Sequence, residues 1–262
     1  LIKIISGWSN PGGSTVAFIN LCNLFNEKGY TTTFYGPHQW HLDKCSADVI
    51  NNIQLNSDDI IIYHFLNVFD KRPPVKKFVL SLHEKDLYPL KTKPLEIFDS
   101  IHFLNEKQFK WHGVQPKSYF FCPNAHEDLK PFEGQKVKCA GIIGNIDRNK
   151  NVHISIQRAL DDGHTKIRLF GNNHDPQYWQ ELVEPLIKAN SDTVKFIGFV
   201  ENKKDIYDLV TDVYHSSTSE NASFIVDECK LADVTLHGNE QTIAQPLIPN
   251  DNVFEIWKKE IL

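Results

Sequence analysis

Glu220 and Glu228, with seven residues between them in SENASFIVDEC, are carboxylates at a spacing a helix can use. Positions eight apart on a helix differ by about 80°, so both side chains can share one face. They follow the apolar stretch DLVTDVYHSS, so a strand ends in small polar residues just before the first of them. If Glu220 stands at the start of the helix, the unbonded N–H groups around it can meet an anion. A second charged group, Arg148 and Lys150 in GNIDRNKN (144–151), follows another predicted strand. Cations there can neutralise a phosphate, the alternative being ordinary solvated loop charge. Gly12 and Gly13 stand before a third helix start. Glycine lets the backbone approach a ligand there, the alternative being a turn that needs glycine for itself.

Elements must bring these loops together. IKIISG reads as a strand, STVAFINLCNLFNEKGY as a helix ending in Gly29, and TTTFYG (31–36) as the next strand. DIIIYHFL (59–66) and KKFVLSLHE (76–84) are continuous apolar runs of the kind buried on both faces of a parallel sheet. SIHFLN (100–105) and SYFFCPN (118–124) complete a first series. The alternation then restarts. VKCAGIIGN (137–145), TKIRLFGN (165–172), TVKFIGFV (193–200), VYHSS (213–217) and VTLHG (234–238) read as strands. NVHISIQRALDDG (151–163), PQYWQELVEPLIKAN (176–190), KKDIYDLVTD (203–212) and ASFIVDECKLA (222–232) read as helices. The break falls near KPFEGQK (130–136), rich in Pro, Gly and charge. The expected fold is α/β, with two Rossmann-like domains facing across a cleft and ligands at the C-terminal ends of the strands. The expected domains are 1–132 and 133–246, with a segment 247–262 returning to the first. In that segment NVFEIWKKEIL (252–262) places Val253, Ile256, Trp257 and Ile261 at helical spacing, which predicts Trp257 buried against the first domain.

Composition removes several classes. The 262 residues are 41% hydrophobic and 23% charged, as in ordinary globular chains. A net charge of −5 argues against a general nucleic-acid binder. Five cysteines without a C-x-x-C pair suit reduced thiols in a cytoplasm. No apolar run reaches the roughly 20 residues of a membrane span, and the opening LIKIISGW reads as a strand rather than a leader. There is no D-x-D, H-E-x-x-H, H-x-H, G-x-S-x-G or Walker loop, so no metal site is expected.

Taken in order, these segments resemble the family-4 retaining glycosyltransferases of the two-Rossmann-domain (GT-B) type. GNIDRNKNVHISIQRAL is similar to that family's Gly-Arg-x-x-x-x-Lys loop and helix, and RLFGN (168–172) to its glycine strand end. VKFIGFVENKKDIYDLVTDVYHSSTSENASFIVDEC follows its series up to the Glu-x7-Glu helix. SYFFCPNAHEDLKPF resembles its inter-domain Asn segment, with Asn124 in place. The resemblance spans roughly residues 1–240. It implies transfer of a sugar from a nucleotide-diphospho-sugar to an acceptor hydroxyl, without a metal. Lys150 would contact the donor phosphates, Glu228 the ribose and Glu220 the transferred sugar. Backbone N–H groups of Asn221, Ala222, Ser223 and Phe224 would hold sugar and phosphate. Gly12, Gly13, Asn145, Arg148, Gly171 and Asn172 complete the implied donor site. His83 matches the first domain's histidine near the reacting centre, where it would polarise a hydroxyl or stabilise charge; a structural role is the alternative.

Three positions depart from the family pattern. Asn145 stands where an arginine is usual, Asn221 where a glycine follows the first Glu, and LADV (231–234) where small residues and Gly-x-Pro are usual. They motivate an alternative, a decayed carbohydrate-binding or assembly subunit; a nucleotide-sugar 2-epimerase is a further one. The implied partners are a nucleotide-sugar and a carbohydrate, lipid-linked or protein acceptor, with no nucleic acid. Residues 71–117 hold ten Lys/Arg against five Asp/Glu. That balance suits an anionic acceptor or peripheral contact with the inner face of a membrane, the alternative being a solvated face.

Overall fold

The apolar runs build two separate parallel sheets. The computed structural model describes residues 1–7, 12–36, 42–50, 52–64, 69–84 and 94–262, with Gln241 described by its backbone alone. The chain divides into unit 1, Leu1–Glu127 with Ile248–Leu262, and unit 2, Asp128–Leu247. The first boundary lies five residues ahead of the expected 132/133 division, and the return lies at 247/248.

Unit 1 comprises β1 (Ile2–Ser6), α1 (Gly13–Glu27), β2 (Thr32–Tyr35), β3 (Asp48–Ile50), β4 (Ile60–His64), β5 (Lys77–Leu82), β6 (Ser100–Phe103), α2 (Glu106–His112), β7 (Tyr119–Phe121) and the returning α9 (Asn250–Ile261). Its strands run parallel in the order β3-β2-β1-β4-β5-β6-β7. Successive side chains point to opposite faces of the sheet. Ile60 and Ile62 therefore join Ile2, Ile4, Phe18 and Phe25 in one core, while Ile61 and Tyr63 join Ile5, Phe78 and Leu80 in the other. That double burial is why DIIIYHFL has no polar face. Within the first core, α9 buries Val253, Phe254, Trp257 and Ile261. The Trp257 ring lies 4.6 Å from His102, 5.0 Å from Phe120 and 6.5 Å from Phe25. At the other end of the strands, Lys3 and Asp59 form a buried ion pair of 2.7 Å.

Unit 2 comprises β8 (Ala140–Ile143), α3 (Val152–Asp161), β9 (Ile167–Phe170), α4 (Pro176–Tyr178), α5 (Glu184–Ala189), β10 (Val194–Gly198), α6 (Lys203–Tyr207), β11 (Asp212–Tyr214), α7 (Phe224–Leu231), β12 (Thr235–His237) and α8 (Glu240–Ile243). The strand order is β10-β9-β8-β11-β12, again parallel. Helix α3 buries Val152, Ser155, Ile156 and Ala159, one face of a regular helix, and stops at Gly163 with φ +75°. Pro176 opens α4, whose first turn is capped by the Asp175 carboxylate. A π-helical turn, Trp179–Val183, joins α4 to α5 ahead of Pro185, whose missing N–H interrupts the regular ladder.

Sequence and structure differ at element ends. The strand expected over 213–217 stops at Tyr214, the helix expected over 203–212 stops at Tyr207, and the helix expected from 222 begins at Phe224. Strand β3 and helices α2 and α8 were not expected; each is short, three to seven residues, and carries too little periodicity to read.

Candidate functional site

In each sheet the strand order reverses beside one central strand, and loops leaving the C-terminal ends there are placed to meet a ligand. In unit 2 the reversal is at β8, which pairs with β9 on one side and β11 on the other. The two loops that flank it are 144–151 and 215–223, which contain Lys150 and Glu220.

Three adjacent strands end in glycine with positive φ: Gly144 (+126°), Gly171 (+143°) and Gly198 (+87°). A Cβ on Gly171 would lie 1.9 Å from the Gly144 carbonyl oxygen, so a side chain there is excluded by backbone contact as well as by conformation. Asn172 accepts from the Ile146 N–H at 2.8 Å. The glycines let β8 and β9 close on each other beneath the Lys150 loop. Their first explanation is this packing.

Lys150 Nζ stands 2.5 Å from Glu220 Oε1. His215, buried and the residue after β11, places Nε2 3.2 Å from the same oxygen, outside hydrogen-bond alignment. Burial alone would raise the Glu220 carboxyl; His215 and Lys150 outweigh it and hold it at about 2. The loops are fastened by more than this pair. Asn149 accepts from the Thr218 N–H and hydroxyl, both at 2.9 Å, and Asn151 Nδ2 donates to the Ser216 carbonyl at 3.3 Å. Asn145, half-buried beside Gly144, forms no side-chain hydrogen bond among the described residues. Arg148 is not brought to Lys150: its guanidinium pairs with Glu181 at 2.9 Å and Asp175 at 3.4 Å.

Glu220 lies in the loop, four residues ahead of α7, rather than at its N-terminus. Glu228 is inside the helix and buried. Its two oxygens take Lys203 Nζ at 2.7 Å and the Tyr207 hydroxyl at 2.8 Å. Lys203 also lies over the Phe224 ring, 5.3 Å from its centroid. Burial first, and the Glu228 charge next, push the Tyr207 phenol well up, so it donates to that carboxylate. At the start of α7 the Ser223 N–H donates to the Gln245 side chain at 2.9 Å, and Gln245 Nε2 reaches the Ser223 carbonyl at 3.2 Å and Asp227 at 3.1 Å. Of the four amides expected to serve a ligand, Ser223's is thus satisfied within the chain, while Asn221 and Ala222 lie in the loop before it.

Unit 1 presents a different set at its strand ends. Here the reversal is at β1, which pairs with β2 and β4. Across it, Ser6 Oγ and His64 Nδ1 are 2.9 Å apart, and His64 Nε2 meets the Glu84 carboxylate at 2.8 Å. His83 packs on Phe18 at 4.6 Å, His64 at 5.5 Å and His102 at 5.9 Å. Burial first, and the two neighbouring imidazoles next, push His83 well below the ordinary 6.5. Gly12 caps α1 in extended conformation and Gly13 is its first residue; residues 8–11 of that loop lie outside the described residues. So do 85–93, with three lysines of the basic 71–117 region. Elsewhere in that region Arg72 pairs with Asp99 at 2.7 Å and Lys110 with Glu106 at 3.1 Å.

Sequence reasoning missed Glu84, His102, His215, Lys203, Tyr207 and Gln245. Glu84 and His215 adjoin strand ends and had that signal; Gln245 carried none. Among the described residues no three or more His, Cys, Asp and Glu side chains gather as metal ligands, and no helix is long and apolar enough to cross a membrane.

No protein-family model matches the chain, and no curated protein matches it. Solved structures do. AviGT4, a glycosyltransferase involved in avilamycin A biosynthesis, is 15% identical over 91% of this chain and 79% of its own, with a TM-score of 0.68. The pneumococcal O-GlcNAc transferase GtfA, solved with UDP and GlcNAc, is 11% identical over 98% and 91%, at 0.67. WaaG, a glycosyltransferase involved in lipopolysaccharide biosynthesis, is 12% identical over 99% and 90%, at 0.63. The likeness is one of fold, and the fold is GT-B.

Proposed function

We propose that the protein is a retaining, metal-independent glycosyltransferase that moves a sugar from a nucleotide-diphospho-sugar to an acceptor hydroxyl. The observation that carries this reading is the Lys150–Glu220 pair, held on the two loops that flank the strand reversal of unit 2. Unit 2 binds the donor and unit 1 handles the acceptor. In transfer, the bond from the anomeric carbon to the diphosphate oxygen breaks and one to the acceptor oxygen forms. The diphosphate gains negative charge as it leaves, and the acceptor proton passes to it or to water. Lys150 stabilises that departing charge, an interaction stronger in the transition state than before it. Glu220, fully ionised at neutral pH, accepts hydroxyls of the transferred sugar once the donor draws Lys150 away. Glu228 accepts the ribose hydroxyls, exchanging Lys203 or Tyr207 for them. Solved neighbours bound to UDP, such as GtfA and the Anabaena HepE, make uracil the first base to try. The five free cysteines support a reducing, cytoplasmic setting. The acceptor remains a carbohydrate, lipid-linked or protein hydroxyl.

Isothermal titration of the folded chain with UDP, GDP and ADP tests the reading. Binding of one of them in the micromolar range, lost in Lys150→Ala, is expected. No binding of any at millimolar concentration would sink it.

A further inference from the structure

Glu220 has two partners among the described residues, and both stand at the same oxygen. Lys150 Nζ holds Oε1 at 2.5 Å, and His215 Nε2 lies 3.2 Å from it. The two contacts differ in kind. The lysine is hydrogen-bonded, whereas the imidazole nitrogen is buried and bonded to nothing among the described residues. A lone pair on Nε2 would face the lone pairs of the carboxylate, so that nitrogen carries a hydrogen. The main chain holds the residue in place: the His215 N–H donates to the His237 carbonyl at 2.9 Å, which continues the β11–β12 ladder by one residue. The side chain is only 3% exposed. At 3.2 Å the separation is already that of a hydrogen bond; what is missing is direction. A lysine drawn to a departing diphosphate leaves Glu220 Oε1. Burial alone would raise the Glu220 carboxyl, so a carboxylate deserted by its lysine takes up a proton unless another donor meets it.

We propose that His215 is a positioning residue that takes over Glu220 Oε1 when Lys150 moves to the donor phosphate, so that the carboxylate stays ionised and aimed at the transferred sugar. Oε1 passes from an ammonium to an imidazole N–H on the same loop pair, and the remaining lone pairs of the carboxylate accept a sugar hydroxyl. Two partners at one oxygen, one bonded and one waiting, let the lysine leave without the glutamate losing its charge. The part played in transfer rests on the glycosyltransferase reading; the exchange of partners at Glu220 does not.

The exchange can be read on the intact chain without substrate, by following the Glu220 carboxyl carbon through a pH titration with ¹³C-glutamate labelling. The Glu220 signal is the one lost in Glu220→Gln. In wild type, and with either partner removed alone in Lys150→Ala or His215→Leu, the midpoint should stay below the ordinary 4.5. With both removed, burial is unopposed and the midpoint should rise above 4.5. A midpoint above 4.5 in Lys150→Ala overturns the proposal, because the ring has then failed to take over. That variant leaves the buried ring in place, so the test does not depend on the folding of His215→Leu. A double variant that stays below 4.5 overturns it too, since something other than His215 then holds the charge. With transfer measured, His215→Leu should lower kcat about tenfold at unchanged donor KM, and His215→Gln, whose amide donates in place of the ring N–H, should restore most of it. An unchanged kcat in His215→Leu overturns the positioning role. Absence of any transfer in wild type would count against the proposed function and leave the partner exchange standing.

Discussion

The strand ends of unit 1 and unit 2 are built on the same parallel α/β plan and furnished with opposite chemistry. Unit 1 gathers imidazoles, hydroxyls and aromatic rings around a single described carboxylate, Glu84, which pairs with His64, and burial keeps His83 and His102 neutral. Unit 2 gathers Lys150, Glu220, Lys203 and Glu228 in close ion pairs, and there opposite charge outweighs burial at Glu220. The physical difference lies in the partners. A buried titratable group without a counter-charge gives up its charge, whereas one with a cation at 2.5 Å keeps it.

The contrast can be broken most forcefully at Trp257. This ring closes the unit 1 core over His102. Trp257→Ala should cost roughly 3–5 kcal/mol of unit 1 stability by leaving a cavity. Chemical denaturation followed by probes in each unit should show the loss confined to unit 1. Equal loss in unit 2 would mean that the two ends do not owe their character to separate cores.

Lys150→Ala comes next. Removing the counter-charge should lower kcat/KM by about 10²-fold, some 3 kcal/mol of transition-state stabilisation. Steady-state kinetics with the donor that binds would measure it, and near-normal activity would mean that the diphosphate lies elsewhere.

The two glutamates should then separate. Glu220→Ala is expected to lower kcat, because its carboxylate meets the moving sugar, while Glu228→Ala is expected chiefly to raise donor KM, by about tenfold. Glu228→Ala also leaves Lys203 and Tyr207 without their partner, so its thermal midpoint should fall further than that of Glu220→Ala. Matching changes in kcat and KM in both variants would contradict the assignment.

The mildest effect is on acid stability. The Glu220 carboxyl lies below its ordinary 4.5 in the folded chain, so its pairing adds stability above about that pH and loses it as pH falls toward 2. Comparison of wild type with Glu220→Gln should show a stability difference at pH 6 that shrinks steadily below 4.5. A difference independent of pH would show that charge is not what holds the loop.

Much of this was legible before any coordinates, for identifiable reasons. Runs such as DIIIYHFL declare a strand buried on both faces, because a parallel sheet covered by helices leaves no polar side. Their alternation with amphipathic helices is enough to call two Rossmann-like units. That Lys150 and Glu220 lie on strand-end loops was legible because the ends of apolar strands have local signatures. Trp257 was visible because its helical spacing with Val253 and Ile261 is local too. What tertiary structure alone decided is which side chains meet across long separations. Arg148 turned to Glu181 and Asp175, not to Lys150; Gln245 reached the Ser223 amide from 22 residues away; Lys203 and Tyr207 took the oxygens of Glu228. The hydrogen bonds that link His83 to Ser81, Ser81 to His102 and His102 to the Cys122 carbonyl belong to the same class, contributed by β5, β6 and the residue after β7. Sequence spacing encodes the period of an element, but hydrogen bonds and charge states follow distance, and only the packed sheet sets that.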